Sequence, residues 1–246
     1  MLRSAIQCSC GIGVFGAAWL LIACTHSSTI WSLNELKQEL AFAPQLAVVY
    51  YPPEALLVEK ELITYKYRKR GPVGFRYLLP GQVARMQEAG AQLRSSAGLG
   101  DPIVEILARF LPVWQELLQL RSIETPRFQE SDNKETLSTL FGTEGYLLDF
   151  KTSSWAVYGL WDEIGPNVQS RVSYGVRVRL VRLSDRKSVW RGGCHQEEIF
   201  IPVLSAQELA GQDGAERVRA VLSRLALSCA DDLEQQVLGT RPASDQ

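Results

Sequence analysis

The sequence predicts an α/β (α+β) protein, a single domain whose mainly antiparallel sheet ends in a C-terminal meander packed against helices. Three observations carry this. Val172, Tyr174, Val176, Val178 and Leu180 alternate with Arg171, Ser173, Arg177 and Arg179, which is the period of a half-buried antiparallel strand. Apolar residues at spacings of three and four recur in three other segments, the signature of helices with one buried face. The 246 residues are 46% hydrophobic and 22% charged with a net charge of -1, a balance that suits a globular core and gives no basic field for nucleic acid.

Taken in order, the elements begin at Ser32 and Glu35, an S-x-x-E capping box ahead of Leu33, Leu36 and Leu40 that predicts a short helix. The run "QLAVVYYPPE" is apolar and β-branched and is closed by Pro52-Pro53, so it reads as a buried first strand. Leu62, Tyr65 and Tyr67 read as a second strand or an extended arm. Lys66, Arg68, Lys69 and Arg70 then fall before the Gly71-Pro72 turn, as a solvated loop or as a contact for phosphate head groups, a cell-wall polymer or a partner.

Val83, Met86, Gly90, Leu93 and Ala97 make the stripe of one helix. A second starts with Asp101 as N-cap and Pro102 in its first turn. Its Ile103, Leu107, Phe110, Trp114 and Leu117 form one face, and Val104, Ile106, Leu111, Val113 and Leu118 widen it until the helix must be buried or covered by a partner. Pro112 is expected to kink it. From Gly145 three strands follow, the last two joined by the polar turn Ser184 to Lys187. A long helix near Gly214 to Leu238 closes the fold, with Val218, Leu222, Leu225, Cys229, Leu233 and Val237 toward the sheet.

At the N-terminus Arg3 precedes an apolar run from Ile12 to Ala23, shorter than the roughly 20 residues of a spanning helix, so it reads as an export signal. Leu21-Ile22-Ala23-Cys24 resembles the lipobox of bacterial lipoproteins. The resemblance implies that Cys24 is lipidated and becomes the first mature residue, and Thr25 after it implies the outer membrane, periplasm-facing. The implied organisation is a signal peptide over 1–23, a lipidated cysteine with short tether and helix over 24–44, an α/β periplasmic domain over 45–238 and a disordered tail over 239–246. Seven residues from Thr25 to Trp31 reach at most about 25 Å, which keeps the domain near the bilayer.

The stretch "WRGGCHQEE" raises catalytic and metal readings. Cys194 and His195 are neighbours on a strand and should point to opposite faces, which denies them a nucleophile–base contact. Zinc would need three or four ligands, and no CxxC or HxxxH partner accompanies Cys194, His195, Glu197 and Glu198. Ser131-Asp132-Asn133, Lys151-Thr152-Ser153 and Ser184 to Lys187 imitate penicillin-binding motifs in the wrong order, and no phosphate or dinucleotide motif implies a cofactor. With Cys24 assigned to lipid, Cys194 and Cys229 are the two remaining mature cysteines of a protein folding in an oxidising compartment, and a disulfide between them is expected.

The pattern of a Trp-x-x-Tyr strand, a Tyr-rich strand, then Leu-x-Asp, a turn, Trp and Cys in "SSWAVYGL…VSYGVRVRLVRLSDRKSVWRGGCH" resembles a group of proteobacterial outer-membrane lipoproteins. More weakly, the topology resembles periplasmic lipoproteins auxiliary to transport systems. These resemblances imply a non-catalytic accessory or assembly component, held to the membrane by its lipid and bound to another envelope protein, with no nucleic acid involved. Trp155, Tyr158 and Trp161 are candidates for the partner surface or, equally, core aromatics. The alternatives are an auxiliary subunit of a lipid or solute transporter and, third, an envelope hydrolase.

Overall fold

A computed structural model describes residues 31–41, 46–58, 80–160, 169–200 and 211–240. Five helices and six strands lie within them: α1 Leu33–Leu40, β1 Leu46–Tyr50, β2 Leu57–Val58, α2 Pro80–Ala97, α3 Ile103–Leu118, β3 Arg127–Phe128, α4 Lys134–Phe141, β4 Tyr146–Leu160, β5 Gln169–Arg182, β6 Lys187–Phe200 and α5 Gln212–Val237. The strands form one sheet in the order β3-β1-β4-β5-β6, with β2 alongside the second half of β4.

The meander β4-β5-β6 is antiparallel throughout and supplies most of the sheet. The short strands β1, β2 and β3 add parallel pairs, Leu46 to Tyr50 running beside Tyr146 to Phe150. The α+β expectation therefore stands, with a parallel margin. The polar turn closes the β5-β6 hairpin with Arg186 at φ 59°, a left-handed position at the tip.

Helices α1, α2, α3 and α5 cover one face. The alternating residues Val172, Tyr174, Val176, Val178 and Leu180 are all fully buried there, together with Leu148, Phe150, Trp155 and Trp190. Phe110 and Trp114 of α3 stack into this layer, Phe110 against Phe150 at 5.8 Å and Trp114 against Trp190 at 5.4 Å between ring centroids. The capping box at α1 is complete, with Ser32 and Glu35 bonding reciprocally. At α3 the Asp101 carboxylate accepts the Ile103 N–H at 3.0 Å, so it caps as expected. Buried area on α3 is narrower than its composition suggests: Val104 is 57% exposed and Val113 half-buried. The helix continues through Pro112, which lies on its exposed side.

Among the described residues, the other face is covered at one end. There Leu137 of α4 packs on Ala47, Val49, Tyr51, Leu147, Val181 and Leu183, with Phe141 at its rim. Asn133 caps this helix by accepting the Glu135 N–H at 2.9 Å, so the Ser-Asp-Asn triplet is a helix start. Beyond α4 the same face carries polar side chains.

Candidate functional site

Among the described residues, that outer face gathers ionisable and hydroxyl groups in three clusters, and the strand registers dictate which meet. Asp149 on β4 stands opposite Arg179 on β5. The guanidinium donates to both carboxylate oxygens, and the Tyr51 hydroxyl donates to Asp149 at 3.4 Å. Asp149 is 1% exposed; burial pushes its carboxyl up, while the Arg179 guanidinium pulls it back. Burial beside Asp149 also holds the Tyr51 phenol far above its ordinary range.

Two residues on, Lys151 faces Arg177, and both reach Asp132 in the segment before α4, at 3.0 and 3.8 Å. The Lys151 hydrogen bond holds the Asp132 carboxyl below the ordinary aspartate value. The third cluster lies where the β4-β5 register slips between Thr152 and Ser154. This bulge brings Ser153 and Ser154 together opposite Gly175. A Cβ at 175 would come 2.5 Å from the Ser154 hydroxyl, 3.0 Å from that of Ser153 and 3.2 Å from His195 Nδ1, so the missing side chain is what admits the cluster. Ser154 Oγ lies 3.2 Å from His195 Nδ1, His195 Nε2 lies 3.3 Å from Glu197 Oε1, and Glu197 pairs with Arg171. A hydroxyl, an imidazole and a carboxylate are thus aligned on a half-exposed surface, an arrangement able to relay a proton.

Cys194 points the other way, into the core, and forms a disulfide with Cys229 of α5 across a Cα separation of 5.4 Å. The expected pairing is present, and His195, Arg177 and Arg179 lie on the opposite face as the alternation required. The two glycines before Cys194 have separate uses. A Cβ at Gly192 would collide with the Trp190 indole, which folds over it. Gly193 donates its N–H to the Gln236 side-chain oxygen at 3.0 Å and accepts from the Gln236 amide at 2.7 Å, so one side chain of α5 imitates a neighbouring strand. Asp232 to Gln196 and Arg224 to Glu198 extend this seam.

Of the two roles the sequence leaves open for Trp155, core aromatic holds and partner surface is corrected. Trp155 is 1% exposed, packed in the core with the Arg94 guanidinium 5.6 Å from its ring centre. The bulge before it shifts the strand's parity and turns it inward. Tyr158 is placed in β4 by its backbone pairing with Arg171. Trp161, the basic run Lys66, Arg68, Lys69 and Arg70, the second-strand residues Leu62, Tyr65 and Tyr67, and Cys24 lie outside the described residues. The Ser154–His195–Glu197 line was not foreseen; its one sequence signal is Gly175 breaking an alternation of large side chains.

These features define the class as α+β: one mixed sheet with helices on one face and a polar patch on the other. No protein-family model matches the sequence, and no curated protein matches it either. Among solved structures the chain is similar to lipoprotein GNA1162 from Neisseria meningitidis (14% identity over 74% of this chain and 99% of that one, TM-score 0.25). It is also similar to protein XCC0632 from Xanthomonas campestris, of family DUF330 (10% identity, 80% and 88% covered, TM-score 0.31), and to PelC from Paraburkholderia phytofirmans, a dodecamer (11% identity, 80% and 94% covered, TM-score 0.22). Likenesses this distant define neither a family nor an activity for this chain.

Proposed function

We propose that this protein is a non-catalytic envelope lipoprotein, anchored by acyl chains on Cys24 in the outer membrane and acting as an accessory component that binds another envelope protein. The observation that carries this reading is the apolar run ending in Leu21-Ile22-Ala23-Cys24. The Cys194–Cys229 disulfide supports it, because such bonds persist in oxidising compartments. No described helix is long and apolar enough to cross a membrane. The surface offered to the partner is the polar outer face around Arg177, Lys151 and His195, whose mixed charges suit a polar partner with complementary groups. A photo-crosslinking side chain at Arg177 should trap one reproducible protein from intact cells, whereas the same group at Gln115 on α3 should not. Equal, unspecific yields from the two positions would count against the reading.

A second reading, an envelope hydrolase, is favoured by the Ser154–His195–Glu197 line alone. It makes Ser154 the nucleophile and His195 its base. A fluorophosphonate probe that labels the protein, and fails to label Ser154→Ala, would establish it; absence of labelling would leave the line as surface hydrogen bonding.

A further inference from the structure

We infer that the domain sits on the bilayer through the end formed by the β5-β6 turn, with Arg186 and Lys187 against anionic lipid head groups and the Trp155 end of the sheet pointing away. This rests on the reading of Cys24 as the anchor. The chain enters the fold at Trp31, and Trp31 is clamped: its N–H donates to the Val189 carbonyl at 2.9 Å, its ring meets Tyr146 edge-on at 6.3 Å, and the Arg182 guanidinium lies 5.5 Å from the ring centre. Each of these contacts belongs to one end of the sheet. Val189 follows the β5-β6 turn, Arg182 precedes it, and Tyr146 opens β4, where Leu183 bonds back to Gly145 at 3.0 Å.

Seven residue steps separate Cys24 from Trp31, so an anchor on Cys24 holds this end within about 25 Å of the membrane surface. Trp155 stands nine residues further along β4 than Tyr146, about 30 Å up the strand. The tether can therefore bring the turn to the head groups but cannot bring the opposite end there unless the domain tips over. The charges at this end balance, three basic against three acidic with Lys187 itself 3.9 Å from Asp185, so the pose rests on the tether and on the two basic side chains exposed at the tip. Around the turn Arg182, Arg186 and Lys187 stand against Asp185, which is held by Arg182 at 2.8 Å. Glu135, 3.8 Å from Arg186, and Glu39, bonded to Tyr146, flank the turn. Lys187 is 68% and Arg186 50% exposed by side chain, at the tip where a lipid phosphate would meet them.

The test uses the full chain, purified from membranes and placed in vesicles of phosphatidylethanolamine and phosphatidylglycerol. With Cys24 acylated and Cys194 bonded to Cys229, a fluorophore attaches only to an introduced thiol, at Lys187→Cys or at Ser95→Cys, an exposed position of α2. Nitroxide on the lipid head groups should quench the label at 187 at least about threefold more than the label at 95, given the reach of the tether. Adding Arg186→Glu should reduce the quenching at 187. Equal quenching at the two positions, or stronger quenching at 95, in acylated protein that floats with the vesicles overturns the orientation and leaves the anchor intact. Protein whose N-terminal peptide carries no acyl mass overturns the anchor and the orientation with it.

Discussion

Gly175 is the residue on which the outer-face cluster depends. Replacing it with alanine pushes a methyl group against two short serine side chains and the His195 ring, none of which has a long stem to move. Gly175→Ala should therefore lower stability by about 1–2 kcal/mol, as overpacking does, and Ser154→Ala in the same chain should recover part of the loss in urea denaturation. Asp185 gives a pH signature. Its hydrogen bonds from Arg182 hold its carboxyl down at about 2, below the roughly 3.9 of an unfolded aspartate. A depressed carboxyl stabilises fully above its unfolded value and loses that contribution as pH falls through the folded one. The difference in urea midpoint between the protein and Asp185→Asn should accordingly be widest above about pH 5 and shrink toward pH 2. Sequence alone leaves Trp155 open between partner surface and core, and the Thr152–Ser154 bulge decides it, because one extra residue reverses the parity of the strand beyond it and turns the indole inward.

At the scale of elements, the seam between α5 and β6 holds the meander's last strand. Gln236 is buried and satisfies both backbone groups of Gly193, so Gln236→Leu would keep the volume and strand a donor and an acceptor. A loss of about 2–3 kcal/mol is expected in thermal or urea unfolding, against nearly none for a change at exposed Gln235. The approach of α2 to the chain before β2 depends in the same way on Gly90, where a Cβ would collide with the Leu56 carbonyl. Gly90→Val should cost about 1–3 kcal/mol or more, because backbone must move. The long elements were legible because each buries one face with a regular period: α2, α3, α5 and β5 all present the stripes read from their residues. The two-residue strands β2 and β3 have no period to read. Helix α4 was missed because its Asn133 cap looked like a fragment of a catalytic motif, while its eight residues bury little beyond Leu137.

For the whole molecule, the sequence and the fold meet at the cysteines. The strand parity that separates Cys194 from His195 points Cys194 at Cys229, and the disulfide between them joins β6 to the last helix. Replacing both with alanine should cost about 3–4 kcal/mol by the loop-entropy account of a link closing some 35 residues. If His195 and Ser154 serve a partner surface, the double variant should still be crosslinked at Arg177 wherever it remains folded. Whether the protein is an exported lipoprotein with its two mature cysteines paired is read from the intact mass and thiol count of the protein extracted from bacterial membranes. The expected result is a chain that begins at Cys24 with acyl chains attached and has no thiol reactive to maleimide after unfolding. An unmodified N-terminus, or two free thiols from Cys194 and Cys229, would contradict it.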